Sequence, residues 1–145
     1  TDLTVMENLE IGRQPPRADA VEWTPQKLFS LFPNLGEMPN RPGGQMSGGE
    51  QQMLSVARTL MGQPLLVLLD EPSEGVAPLI VAQMARAILQ LKARGVGILL
   101  SEQNLLLAQA VADRAYVLEQ GRIVHQAPMA ELARDARARQ AYLGV

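Results

Sequence analysis

Two stretches carry residue types that could do chemistry. Leu65 to Leu69 is a run of five apolar residues that ends abruptly in Asp70, Glu71 and Pro72. In open α/β sheets ligands bind beyond the carboxyl ends of the strands, so paired acids at such an end are well placed to act. Adjacent carboxylates there point in different directions: one can hold a hydrated metal ion while the other orients or deprotonates a nucleophilic water. The plainer reading is that Asp70 caps the next turn and Glu71 is solvated. The second stretch, Ser47-Gly48-Gly49-Glu50-Gln51-Gln52, is a small, glycine-rich entry to a helix. Free N–H groups and the positive end of the helix dipole suit a phosphate at such a place. Its plainer reading is a serine N-cap with glycines for a tight turn.

These stretches occur in order, separated by one predicted helix and the joint Gly62-Gln63-Pro64, and together they resemble the ATP-binding-cassette (ABC) ATPases. Met46-Ser47-Gly48-Gly49-Glu50 is similar to the signature motif of that family. Leu65 to Asp70 is similar to its Walker B strand, with Glu71 as the carboxylate that follows, and Ser73-Glu74-Gly75 to its D-loop. Four longer phrases, Leu3 to Leu9, Ser47 to Leu54, Asp70 to Leu79 and Ser101-Glu102-Gln103-Asn104, resemble the ATPase subunits of branched-chain amino acid importers.

The resemblance implies a homo- or heterodimer in which two ATPase domains enclose two ATP molecules. The signature of one protomer closes over the nucleotide held by the other and drives transmembrane permease subunits from the cytoplasmic face of the inner membrane, where the ATPase is peripheral. By residue, it implies that Ser47, Gly48 and Gly49 contact the partner-held ATP, that Asp70 holds Mg2+ through water, and that Glu71 polarises the attacking water. Electrostatic positioning is nearly all that such a site must supply. Met46 stands where leucine is usual. Glu50 stands where glutamine is usual, and its charge confines it to a helix-entry role rather than a phosphate contact. Gln103 stands where many members place a switch histidine; an amide can donate a hydrogen bond to a γ-phosphate but cannot become a cation.

One part of the family pattern is missing. A phosphate-binding P-loop needs G-x-x-x-x-G-K-[ST], and neither lysine of this chain, Lys27 or Lys92, follows a glycine. The family's Q-loop and adenine-stacking aromatic lie upstream of the point that matches Thr1. The chain is therefore expected to be the C-terminal portion of an ABC ATPase, unable by itself to bind ATP tightly or hydrolyse it. Its expected fold is that part of a P-loop NTPase: α/β, a parallel sheet flanked by helices plus part of the helical subdomain. Residues 1–62 would be mainly helical subdomain and signature helix, 63–126 core sheet, and 127–145 C-terminal helices. The alternatives are an importer for urea or short amides, a non-transport ABC protein, or a non-catalytic dimerisation or docking module.

Composition narrows the classes from outside. The 145 residues are 47% hydrophobic with a formal net charge of -2, which excludes a fully disordered chain. The scattered, outnumbered basic residues argue against a nucleic-acid partner. With no cysteine and one histidine, His125, a disulfide scaffold, a thiolate zinc site and a multi-histidine metal centre are all impossible. No apolar run approaches the roughly 18 residues of a membrane helix.

Several elements must position these residues. Thr4-Val5-Met6-Glu7 has the form of a capping box before a short helix to about Ile11. Residues 12–22 read as a loop, and Thr24-Pro25 opens a helix that presents Leu28, Leu31 and Phe32. The stretch 33–45 reads as irregular. A helix is predicted over 49–61, a strand apolar on both faces over 65–69, and a helix over 78–94 with Ile80, Met84, Ile88 and Leu91 on one stripe. A second buried strand follows over 96–101. A short helix over 105–112, a hairpin across Gln120-Gly121 and a helical tail from Met129 complete the pattern. His125 is expected to be a solvated strand histidine, Met38, Met46, Met53, Met61 and Met84 core filler, and Arg134, Arg137 and Arg139 a solvated helix face.

Overall fold

The first helix begins where its capping box places it. In the computed structural model, which describes residues 2–136 and 140, α1 spans Val5–Gly12. The Thr4 side chain accepts from the Glu7 N–H, and the Glu7 carboxylate accepts from the Thr4 N–H at 2.8 Å. The next two N–H groups find acceptors across the chain: Val5 donates to the Arg41 carbonyl at 3.0 Å and Met6 to that of Pro39 at 2.9 Å. The proline- and glycine-rich stretch is therefore held against α1. It is also less irregular than its composition implies, because Pro33 at a first helical position starts α3, Pro33–Gly36, and a 3-10 turn forms over Gly43–Gln45. α2, Pro25–Leu31, starts on its Thr24 cap as expected.

The chain divides into two compact units, residues 1–101 and 102–145. In the first, α1 packs along α4, Gly48–Met61, and the two backbones approach so closely that a Cβ on Gly12 would run into the Arg58 carbonyl oxygen. Val5, Leu9, Leu28, Leu35, Met53 and Leu60 are fully buried. Trp23, only 2% exposed, is buried as well, with the Arg94 guanidinium 4.9 Å from its ring centroid. Of the five methionines expected to be core filler, Met46, Met53, Met61 and Met84 are core and Met38 is half-buried.

β1, Leu66–Asp70, and β2, Gly97–Ser101, pair in parallel with Leu66 opposite Gly97 and Asp70 opposite Ser101. Between them runs α5, Pro78–Ala93, whose Met84, Ile88 and Leu91 are buried and whose Ile80 is half-buried. The expectation of strands buried on both faces is not met. Val67 and Leu69 are buried, but Leu66, Leu68 and Leu99 are 56%, 67% and 61% exposed. A period-2 strand covered on one side must show its other set of side chains to solvent, and within this unit only one side of the sheet is covered.

In the second unit α6, Leu105–Val111, precedes an antiparallel hairpin of β3, Arg114–Glu119, and β4, Arg122–Pro128, with a register shift between Val117 and Leu118. Its turn residues Gln120 and Gly121 both have positive φ, 48° and 76°, the geometry that matches strand twist in a two-residue loop. α7, Met129–Leu132, buries Met129 and Leu132 among Ala108, Ala112, Ala115, Val117 and Ala127. His125 is half-buried opposite Val117 rather than solvated. Arg134 is exposed; Arg137 and Arg139 lie outside the described residues.

Candidate functional site

Both stretches singled out in the sequence lie in the first unit. Asp70 ends β1 with its side chain exposed, and Glu71 turns sharply away, at φ +44°. Its backbone is fixed from both sides. The Glu71 N–H extends the ladder to the Ser101 carbonyl at 2.8 Å, and its carbonyl accepts from Glu74 at 3.1 Å. A non-glycine residue in this region is strained by about 1–3 kcal/mol, and such strain persists only where surrounding structure imposes it. The turn departs from the strand path directly after Asp70, leaving Asp70 exposed and Glu71 half-buried.

Ser47 is the N-cap of α4 and forms a second capping box. The Glu50 carboxylate accepts from the Ser47 N–H at 2.7 Å and from its hydroxyl at 2.8 Å, and the Glu50 N–H donates to Ser47 Oγ at 3.4 Å. The bond from the Ser47 backbone N–H, then that from its hydroxyl, lowers the Glu50 pKa, with Arg41 adding a smaller favourable charge against the cost of burial. The helix-entry role expected of Glu50 is therefore filled by a specific geometry. No described residue accepts from the N–H of Gly48 or Gly49. The approach to this turn is fixed by Gln51, named in the stretch but given no role of its own there: its Nε2 donates to the Gly43 carbonyl at 3.0 Å and that of Met46 at 3.3 Å.

Along its length α4 borders β1 in a groove of about 210 Å³, lined by Gln52, Ser55, Val56 and Thr59 on the helix and by Val67 to Asp70 and Pro72 on the strand side. The groove runs up to Asp70. Gln103 belongs to the second unit and is exposed in the loop before α6. That loop is braced on either side. The Glu102 carboxylate accepts from the Asn104 N–H at 2.8 Å, and Asn104 Oδ1 caps α6 by accepting from Leu107 at 3.2 Å. An asparagine before three leucines was the available signal for that cap.

A hard oxygen donor at a strand end fits a hydrated Mg2+, which keeps most of its waters and needs only one or two carboxylates besides phosphate oxygens. Among the described residues there is no cluster of three acids or histidines that would make a protein-only cage. No helix among them is long and apolar enough to cross a membrane.

Carboxylates at the end of a parallel strand, preceded by a capped Ser-Gly-Gly helix entry, are the marks of a nucleotide-driven cassette, and the chain belongs to the ABC transporter family, whose model matches residues 1–74. It is 49% identical over 142 residues to the high-affinity branched-chain amino acid transport ATP-binding protein BraG of Pseudomonas aeruginosa, covering 98% of this chain and 61% of that protein. It is 36% identical over 142 residues to the lipopolysaccharide export system ATP-binding protein LptB of Escherichia coli K12, covering 98% of this chain and 56% of that protein. Among solved structures it is similar to the ADP conformation of MJ1267, an ATP-binding cassette of an ABC transporter. The TM-score is 0.75 at 25% identity, over 99% of this chain and 64% of that one. The chain thus spans about three fifths of the length of the relatives it matches, and its α/β class with a parallel sheet and flanking helices is theirs.

Proposed function

We propose that this chain is part of the ATPase subunit of an importer for branched-chain amino acids, working as a peripheral subunit at the inner face of the cytoplasmic membrane. The observation that carries the solute class is its 49% identity to BraG across 98% of the chain, against 36% to LptB over the same span. Residues 1–62 are read as helical subdomain and signature helix, 63–126 as core sheet and 127–145 as C-terminal helices. The bare leucine side of β1 and β2 supports the reading that the chain is a portion of a larger domain, since parallel strands are ordinarily covered on both faces.

In this reading Ser47 and the N–H groups of Gly48 and Gly49 receive the γ-phosphate of an ATP held by a second ATPase subunit. Helix-terminal donors suit that charge. Asp70 holds the water shell of Mg2+, which when bound neutralises phosphate charge. Glu71, carried past the strand end on its left-handed turn, accepts a hydrogen bond from the attacking water and so orients it. Gln103 donates its amide to the γ-phosphate.

The test is association with intact BraG followed by light scattering. With Mg-ATP a mixed dimer forms, and with ADP or without nucleotide it does not. Pairing that ignores nucleotide would instead make the chain a docking module. Calorimetry of the chain alone with Mg-ATP is expected to show no sub-millimolar site, because no P-loop is present. In the intact subunit, with its P-loop, Gln103→Ala is expected to lose ATPase activity and Gln103→His to keep it; full activity in the alanine form overturns the sensor role.

A further inference from the structure

The two signature glycines face different surroundings. A Cβ added to Gly48 would meet nothing within 4 Å, whereas one on Gly49 would lie 3.1 Å from Ile80 Cγ2, 3.3 Å from Ile80 Cγ1 and 3.3 Å from Val76 Cγ1. Such contacts are tighter than ordinary van der Waals packing, so the start of α4 rests directly on the segment that follows the carboxylates. That segment is a chain of consecutive turns. The Glu71 carbonyl accepts from Glu74, that of Ser73 from Val76 at 3.3 Å, and that of Ala77 from Ile80 at 2.9 Å, with Pro78 then opening α5. One turn further on, Gln83 Nε2 donates to Asn34 Oδ1 at 3.2 Å and ties α5 to α3.

We infer that Val76 and Ile80 are positioning residues for the Ser47–Gly49 turn: Gly49 lacks a side chain to seat the turn on them, while Gly48 leaves the outward side open. The position of the phosphate-facing N–H groups is thereby set by the turn that begins at Glu71. What the seated turn is for rests on the nucleotide reading above; the seat itself does not. Packed contacts transmit displacement because interiors have little free volume.

Hydrogen exchange on the full 145-residue chain reads the seat without nucleotide. Ile80→Ala removes both Cγ atoms beside Gly49 and is expected to speed exchange of the Glu50 and Gln51 amides by about 10-fold, with the amides of α2 and β1 unchanged, as a local opening requires. Gly49→Ala overfills the same seat and raises exchange at those amides similarly. In Gly49→Ala/Ile80→Ala the new methyl occupies the vacated volume and brings exchange back to within about 3-fold, a coupling expected only of residues in contact. Ile80→Val, which keeps both Cγ atoms, leaves the turn undisturbed, and Val76→Ala gives a smaller effect of the same sign should Ile80→Ala fail to fold. Unchanged exchange in both alanine variants, or a Gly49→Ala effect undiminished in the double variant, overturns the seat. With BraG and Mg-ATP, Ile80→Ala is expected to weaken pairing and Ile80→Val to keep it. If the unsubstituted chain never pairs in response to ATP, the nucleotide reading falls while the exchange results still decide the seat.

Discussion

The helices α1 and α4 begin with the same device and use glycine in opposite ways. In each, a hydroxyl residue at the N-cap exchanges hydrogen bonds with a glutamate three residues on, at 2.8 Å from the Thr4 N–H to Glu7 and 2.7 Å from the Ser47 N–H to Glu50. Inside its box α1 places Val5, fully buried, and Met6, and their N–H groups donate to neighbouring carbonyls. Inside its box α4 places two glycines, whose N–H groups no described residue accepts. α1 keeps its glycine for its far end, where Gly12 meets the Arg58 carbonyl. A helix that needed only to start would not use two glycines, each of which favours helix less than alanine by about 1 kcal/mol. At the α4 entry the side of Gly48 is open and that of Gly49 lies against Ile80 and Val76.

The largest expected effect breaks the α1 side of the comparison. Gly12→Ala forces a methyl against backbone that cannot rotate away and should cost about 3 kcal/mol, seen as a lowered urea midpoint. Next come the caps themselves: Thr4→Ala and Ser47→Ala should each cost about 1 kcal/mol in the same measurement, since the two boxes are near copies. Only Ser47→Ala should also weaken ATP-dependent pairing with BraG. A smaller effect has the opposite sign. Gly48→Ala meets no neighbour and should stabilise the chain by up to about 1 kcal/mol while impairing that pairing. A loss of stability there would mean that the open side of the turn is not open.

The smallest effect is on pH. Glu7 and Glu50 are both held below the usual glutamate range, each chiefly by the backbone N–H of its own cap residue. A depressed carboxylate pKa contributes stability that is present above the unfolded value and lost as pH falls through the folded one. Both helix starts should therefore loosen together on acidification below the ordinary glutamate pKa, and exchange of the Glu7 and Glu50 amides should rise in parallel.

Much of this was legible in the residues. Thr4 with Glu7, Thr24 with Pro25, and Gln120 with Gly121 each specify a local geometry through their own bonds, and each forms as read. Leu65 to Leu69 likewise specified a strand, but not what covers it, because burial depends on neighbours that no strand sequence names. Leu66, Leu68 and Leu99 are exposed for that reason. Ser47 and Glu50 satisfy the capping-box pattern as plainly as Thr4 and Glu7 do; the serine cap and the helix-entry glutamate were each read, but not the reciprocal bonds that join them. The seat of Gly49 on Ile80 joins positions 31 residues apart and left no trace in spacing. The same holds for Trp23 under Arg94, and for the left-handed turn at Glu71, where nothing in the residue type announces a positive φ.

The leucine side of β1 and β2 also bears on how the chain behaves in a tube. With a formal net charge of only -2, little electrostatic self-repulsion opposes the stacking of one such face on another. Sulfate and other excluded salts strengthen apolar association, so the concentration at which the chain clouds should fall steeply as they are added. A hydrophobic dye should brighten on the folded chain before any unfolding begins.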